Sequence, residues 1–268
     1  MDGSQDRTAG RGGVDAEPMN DTIRALLNRR SIRKYTDQPV SEATISGILK
    51  AAFRAPTSSN IQAYSVVVVR DAETKKRLSV VTKNQKHVAE CPVFLAFCAD
   101  NTRIEAALAA RGHTIADNNL EIGLVASIDT ALVGMSASVV AETIGLHGVW
   151  IGAIRNDATE TARILGLPAN VYCVFGMCLG WPAEAPEQKP RMDYSQMVHY
   201  EHYGQLRDDS RTMEQALADY DKALAAHYTG TGRATTPDSW SHDMDKKFVP
   251  QAREALRAQL KAQGFDFR

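Results

Sequence analysis

The chain has almost no net charge. Its 268 residues carry 31 basic and 32 acidic side chains, a formal net of -1 at pH 7. Such a balance argues against a general nucleic-acid or membrane-surface binder, while leaving room for local basic clusters. No C-x-x-C pair is present. The four cysteines, Cys91, Cys98, Cys173 and Cys178, sit in or beside apolar runs and read as buried free thiols of a protein from a reducing, cytoplasmic setting. There is no G-x-S-x-G elbow, no G-x-G-x-x-G after a strand and no P-loop, which speaks against hydrolase, Rossmann and P-loop chemistry. The pair His199-x-x-His202 has no third ligand in view, so no metal site is expected. An apolar signal segment is also missing at the start. Residues 1–18 are Gly- and Asp-rich without an apolar core and are expected to form a disordered extension, with one domain over residues 19–268.

What the chain does have is Arg29-Arg30-Ser31-Ile32-Arg33-Lys34, three guanidiniums and a hydroxyl in a short stretch. Arginine presents a planar fork of donors that suits phosphate oxygens. Arg29 and Arg33 lie four apart, the spacing at which one helical turn aims two side chains the same way. Far downstream, Lys189-Pro190-Arg191 forms a second cluster, and the two together suit one phosphate. The run Pro56 to Gln62 is dense in small hydrogen-bonding side chains and precedes a β-branched strand, a position where loops often meet ligands.

Periodicity places the elements. Asp21 is the expected cap of a helix over Thr22 to Asn28, and Ser41 of one carrying Ile45, Ile48, Leu49 and Ala52 on one face. Strands are expected over Tyr64 to Val69, Val93 to Cys98, Gly148 to Ile154 and Val171 to Leu179. Glycines inside the third of these suggest close approach of another group to the backbone, with an empty bulge as the alternative. A mostly apolar helix over about Asn118 to Leu146 reads as the core helix, interrupted by Asp129 and Glu142, which makes it a poor membrane span. Helices are expected over Thr212 to His227 and from Ser239 or Ser241 to about Gln263, around a mobile stretch near Tyr228 to Pro237. Strand and helix never alternate regularly, so the fold class is α+β.

Five motifs, in order and at matching spacing, resemble the nitroreductase family and its NADPH-dependent flavin reductase branch. They are Arg29 to Arg33, Thr57-Ser58-Ser59 with Gln62, Asn84 to Val88, Gly148 to Asn156, and Phe175 to Pro182 with Lys189-Pro190-Arg191. The likeness runs from about Met19 to the C-terminus. It implies a central, mainly antiparallel sheet flanked by helices, an intertwined homodimer, and FMN held non-covalently at its interface. Residues from about 205 to 268 would form the mobile loop and C-terminal helices.

Carried over residue by residue, Arg29, Arg30, Ser31 and Arg33 match the family's first flavin segment, and Lys189 and Arg191 its second phosphate clamp. Thr57 and Ser59 match polar loop contacts, and Gln85 the contact to the ring's polar edge. Trp150, Ile151, Gly152 and Ala153 match the strand whose backbone passes the ring. Two positions depart from the family. Arg29 stands where histidine is frequent, and Thr235-Thr236-Pro237 stands where an Arg precedes the Trp signature, here Asp238-Ser239-Trp240. Arg233 is then the nearest candidate for the 2′-phosphate of NADPH, with NADH the other possible donor. The implied activity is ping-pong transfer of two electrons from NAD(P)H through FMN to small acceptors: nitroaromatics, quinones or free flavin. No side chain acts as a catalytic acid or base. A flavin-binding carrier or sensor without turnover is the alternative.

Overall fold

The computed structural model describes residues 19–115, 120–207, 209–249 and 252–267. The expected extension over residues 1–18, and the expected start of the long helix at Asn118, lie outside the described residues. Helix α1 (Asp21–Leu27) is capped by Asn20, whose side-chain oxygen accepts the Ile23 amide at 3.0 Å. The cap therefore falls one residue before the expected Asp21, which sits in the first turn and pairs with Arg24. Beyond Leu27 the backbone leaves the helix, so Arg29 and Arg33 do not share a helical turn as their spacing suggested. The Arg segment is instead held outside any helix by hydrogen bonds to other parts of the chain.

Helix α2 (Glu42–Ala52) starts at Ser41, which accepts the Thr44 amide at 3.0 Å. Strand β1 (Tyr64–Val69) leads to α3 (Ala72–Val81), capped by Asp71. The polar patch after it folds as a short helix, α4 (Lys86–Glu90), and strand β2 (Val93–Asp100) follows. Next come α5 (Thr102–Ala109), α6 (Leu120–Thr143), β3 (His147–Ile151), α7 (Ala158–Leu165) and β4 (Val171–Gly180). The last third holds α8 (Tyr194–Met197), α9 (Met213–Gly230), α10 (Ser239–Phe248) and α11 (Leu256–Ala262). Thr212 and Gln215 form a reciprocal cap at the start of α9.

The strands form one sheet in the order β1-β2-β4-β3, with every neighbouring pair antiparallel. Strand β2 is buried at every residue, because the sheet is covered on both faces. On one face α2 and α6 bury Ile45, Ile48, Val133 and Ala137 against Leu95, Phe97 and Met177. On the other, Leu78, Val88 and Ile154 pack against Phe94, Ala96 and Cys178. All four cysteines are free and buried in the sheet or beside it.

Two expected elements are shorter than their patterns. Strand β3 ends at Ile151, and Gly152–Asp157 turns into a 3₁₀ helix that feeds α7, capped by Asp157 and stopped by Gly166 at φ 64°. Gly152 and Ala153 thus sit on that turn rather than on the strand. The expected final helix is split into α10 and α11. Val249, the residue before Pro250, is extended at φ -128°, ψ 110°, as proline requires of its predecessor.

The glycine-bearing strand also has a plain cause within the chain. A Cβ at Gly148 would collide with the carbonyl of Cys178 on β4, so the close approach there is the neighbouring strand. Helix α6 is long and apolar enough to cross a membrane by length and composition. Its Asp129, however, is fully buried and accepts the amides of Ser58 at 2.9 Å and Ala63 at 3.3 Å. One face of α6 stays bare in the single chain, with Leu124, Ile128, Leu132 and Met135 all exposed.

Candidate functional site

Backbone pairing brings the two basic clusters together. Thr36 N donates to the Trp181 carbonyl at 2.9 Å, and Ala183 N to the Lys34 carbonyl at 2.9 Å. The Glu184 carboxylate then accepts Arg33 N at 2.7 Å and Lys34 N at 3.1 Å. Gln188 donates its side-chain amide to the carbonyls of Leu27 and Arg29. On the other side, Ile32 N donates to the Gly148 carbonyl at 3.1 Å, which docks the Arg segment on β3. Tyr35, with its hydroxyl on the Ile32 carbonyl at 2.7 Å, is buried beneath, and burial raises its pKa far above the ordinary value.

The result is a cavity of about 340 Å³ lined by Arg29, Arg30, Ser31 and Arg33 from one segment and Lys189 and Arg191 from the other. Arg233, His227 and Tyr228 close it from the end of α9. Lys189 Nζ donates to the Tyr228 hydroxyl at 3.0 Å, while the Arg233 guanidinium lies over the Tyr228 ring at 4.0 Å. Six cations face one space with Glu187 as the lining carboxylate, an arrangement that calls for an anion. His87 stands near Arg33 and Glu184. Burial first, and then the Arg33 charge, pushes its imidazole below the usual range, so it is neutral at pH 7.

The remaining expected residues lie elsewhere in the single chain. Gln85 begins α4, and its Oε1 is buried without a hydrogen-bond partner. The Arg30 Nε is likewise buried and unpartnered. Trp150 points into an aromatic cluster, edge-on to Phe175 at 4.9 Å and 5.9 Å from Phe97, so at this position the backbone is what remains for a ligand. The Gly152 carbonyl accepts from Arg253 at 3.4 Å. Thr57 lines a different cavity, with Phe53, Arg54 and Gln62, and Ser59 sits in the adjoining 3₁₀ turn at φ 46°. Within one chain this loop does not reach the basic cavity.

Several side chains that build the site escaped sequence reasoning. Glu184 and Gln188 fix the Arg segment, Tyr228 spaces Lys189 from Arg233, and Arg253 reaches the end of β3. Asp129 had a visible signal, an acid in the middle of an apolar helix. Its partners, the Ser58 and Ala63 amides, lie over sixty residues away and had none. The residues present fit FMN. The cation cluster matches a phosphate, and two of the orphaned polar atoms, on Arg30 and Gln85, are a donor and an acceptor awaiting partners.

Comparison with known proteins gives the same direction. The nitroreductase family model matches residues 26–181, and the model of that family's C-terminal domain matches residues 189–268. The chain is 36% identical over 252 residues to the oxygen-insensitive NADPH nitroreductase of Salmonella typhimurium, covering 92% of this chain and 99% of the relative. It is 34% identical over 250 residues to the FMN reductase (NADPH) of Bacillus subtilis, covering 92% and 99%. Among solved structures, the NADPH:FMN oxidoreductase of Vibrio harveyi complexed with NAD+ superposes with a TM-score of 0.82 at 31% identity, covering 93% of this chain and all of that one.

Proposed function

The chain belongs to the nitroreductase family, and on that premise we propose that it is an FMN-dependent oxidoreductase, passing two electrons from NADPH or NADH to small electron-poor acceptors. Nitroaromatics, quinones and free flavin are the acceptor classes this reading covers. The observation that carries it is the convergence of Arg29–Arg33 and Lys189–Arg191 on one cavity. When bound, FMN supplies a flat ring that accepts a hydride from the nicotinamide and hands two electrons onward in a second half-reaction.

In this reading Arg33, Lys189 and Arg191 hold the ribityl phosphate, with Arg29, Arg30 and Ser31 beside them. Gln85 meets the polar edge of the ring, and the backbone of Trp150 to Ala153 runs along it. Backbone donors and nearby positive charge favour the reduced ring, and no side chain supplies a proton. The bare face of α6 is the surface on which a second copy docks. Thr57 and Ser59 then enter the site from the partner subunit, which accounts for their distance from the basic cavity within one chain. Arg233 takes the 2′-phosphate of NADPH, leaving its contact with Asp243 at 3.9 Å to do so. Four buried free thiols suit a reducing, cytoplasmic setting.

The test is to purify the protein, record its visible spectrum and titrate it anaerobically with NADPH and with NADH. A bound flavin spectrum that bleaches, and returns on adding a quinone, supports the enzyme. Yellow protein that neither nicotinamide bleaches is the outcome expected of a carrier or sensor and would overturn the proposal.

A further inference from the structure

A second basic cavity, of about 470 Å³, lies where the turn after β3 meets the chain beyond α10. Lys83, Asn156, Lys246, Lys247, Ala252 and Arg253 line it, and among the described residues no carboxylate does. Lysines in the last turn of a helix, like Lys246 and Lys247, are common on electrostatic grounds alone. Here two further cations from separate segments meet them. Lys83 projects from a turn whose residues Lys83 and Asn84 both hold left-handed backbone, at φ 62° and 57°. That turn is closed by Asn84 N on the Ser79 carbonyl at 2.8 Å. Arg253 also stands at positive φ, 54°, a conformation that a long side chain adopts only where its surroundings hold it.

Asn156 ties these segments together. Its Nδ2 donates to the Val81 carbonyl at 3.3 Å, and its Oδ1 accepts Arg253 Nε at 3.1 Å. Arg253 donates onward to the Gly152 carbonyl. Nearby, Arg155 has its pKa lowered by burial and then by the Arg253 charge. Asp243, an acid one turn back on α10, faces Arg233 instead. Among the described residues, none of Lys83, Lys246, Lys247 and Arg253 pairs with a carboxylate.

The cavity is linked to both places that the flavin reading sets against the ring: Lys83 precedes Gln85 by two residues in the chain, and Arg253 donates to the Gly152 carbonyl. We propose that it receives the anionic substituent of the electron acceptor, a carboxylate, sulfonate or phosphate, and so selects acidic acceptors over neutral ones. This rests on the reading above for the position of the ring. That reading gives the first cavity to the flavin phosphate and Arg233 to the donor's 2′-phosphate, so the acceptor is the molecule left to supply the charge.

A redox-inert pair tests it without turnover: 2-naphthalenesulfonate against neutral 2-naphthalenemethanol, titrated calorimetrically into the FMN-loaded protein. The wild type should bind the sulfonate more tightly, and that preference should weaken with salt. In Lys83→Gln combined with Lys246→Gln and Lys247→Gln, all at exposed positions, the ratio of the two affinities should fall about tenfold. The ratio of kcat/KM for 1,2-naphthoquinone-4-sulfonate to that for 1,2-naphthoquinone should fall with it. An unchanged ratio in the triple variant overturns the proposal. So does a variant that weakens ADP-ribose instead of the sulfonate, which would assign the charge to the donor. Failure to bind flavin at all would sink the earlier reading independently, since it is seen in the spectrum of the wild type before any titration.

Discussion

Glu184 accepts the backbone amide of Arg33 at 2.7 Å across 151 residues of sequence. Because the same oxygen also accepts Lys34 N, one carboxylate fixes the direction in which the whole Arg segment faces. Glu184→Ala should therefore loosen the segment and raise the FMN dissociation constant about tenfold, since charge-assisted hydrogen bonds contribute about 1.5–3 kcal/mol. Glu184→Gln keeps an acceptor and should retain most of the affinity. Fluorescence titration of the apoprotein measures both.

Asp129 anchors the polar loop to α6. Asp129→Ala leaves the Ser58 and Ala63 amides without their acceptor and should destabilise the fold by about 2–4 kcal/mol. Urea denaturation followed by circular dichroism reads this as a lower midpoint. Asp129→Asn should fall between the two, because its one carbonyl oxygen replaces two carboxylate oxygens.

His87 gives the stability a pH dependence of known sign. Its folded pKa lies below the ordinary value through burial and then the Arg33 charge, so the unfolded chain takes up a proton more readily. Its contribution is complete above the unfolded imidazole value of about 6.5 and is lost as pH falls through the folded value. The Tm should decline as pH is lowered from about 7.5 to about 5.5, and His87→Gln should make that decline shallower. Differential scanning fluorimetry across the range is the measurement.

Leu132 lies on the bare face of α6 and is 39% exposed in the single chain. If that face meets a second copy, Leu132→Lys buries an unpaired charge there. The variant should sediment as a monomer where the wild type sediments as a dimer, and it should lose flavin along with the interface.

Most of the architecture was legible because it is local. Strand β1 follows from five β-branched or aromatic residues out of six, and α7 from a capping Asp157 and a stopping Gly166. The long core helix followed from apolar patterning, whereas the antiparallel pairing of the sheet was implied by the family resemblance. Where patterning misled, a backbone constraint outranked it. Pro250 broke the last helix after Val249, and the Arg segment took its conformation from Glu184, Trp181 and Gly148 rather than from its own spacing. The site was legible as clusters of donors and not as contacts. Which carboxylate orients Arg33, or which ring separates Lys189 from Arg233, depends on pairings between distant segments that no local pattern encodes.

The most direct measurement compares FMN with riboflavin, which lacks only the phosphate, in the wild type and in Arg33→Ala and Arg191→Ala. If both clusters hold that phosphate, the wild type should prefer FMN by about a hundredfold or more, and each variant should lose much of the preference while binding riboflavin as before. A wild type that binds the two flavins equally, or variants that keep the full preference for FMN, would contradict a shared phosphate site.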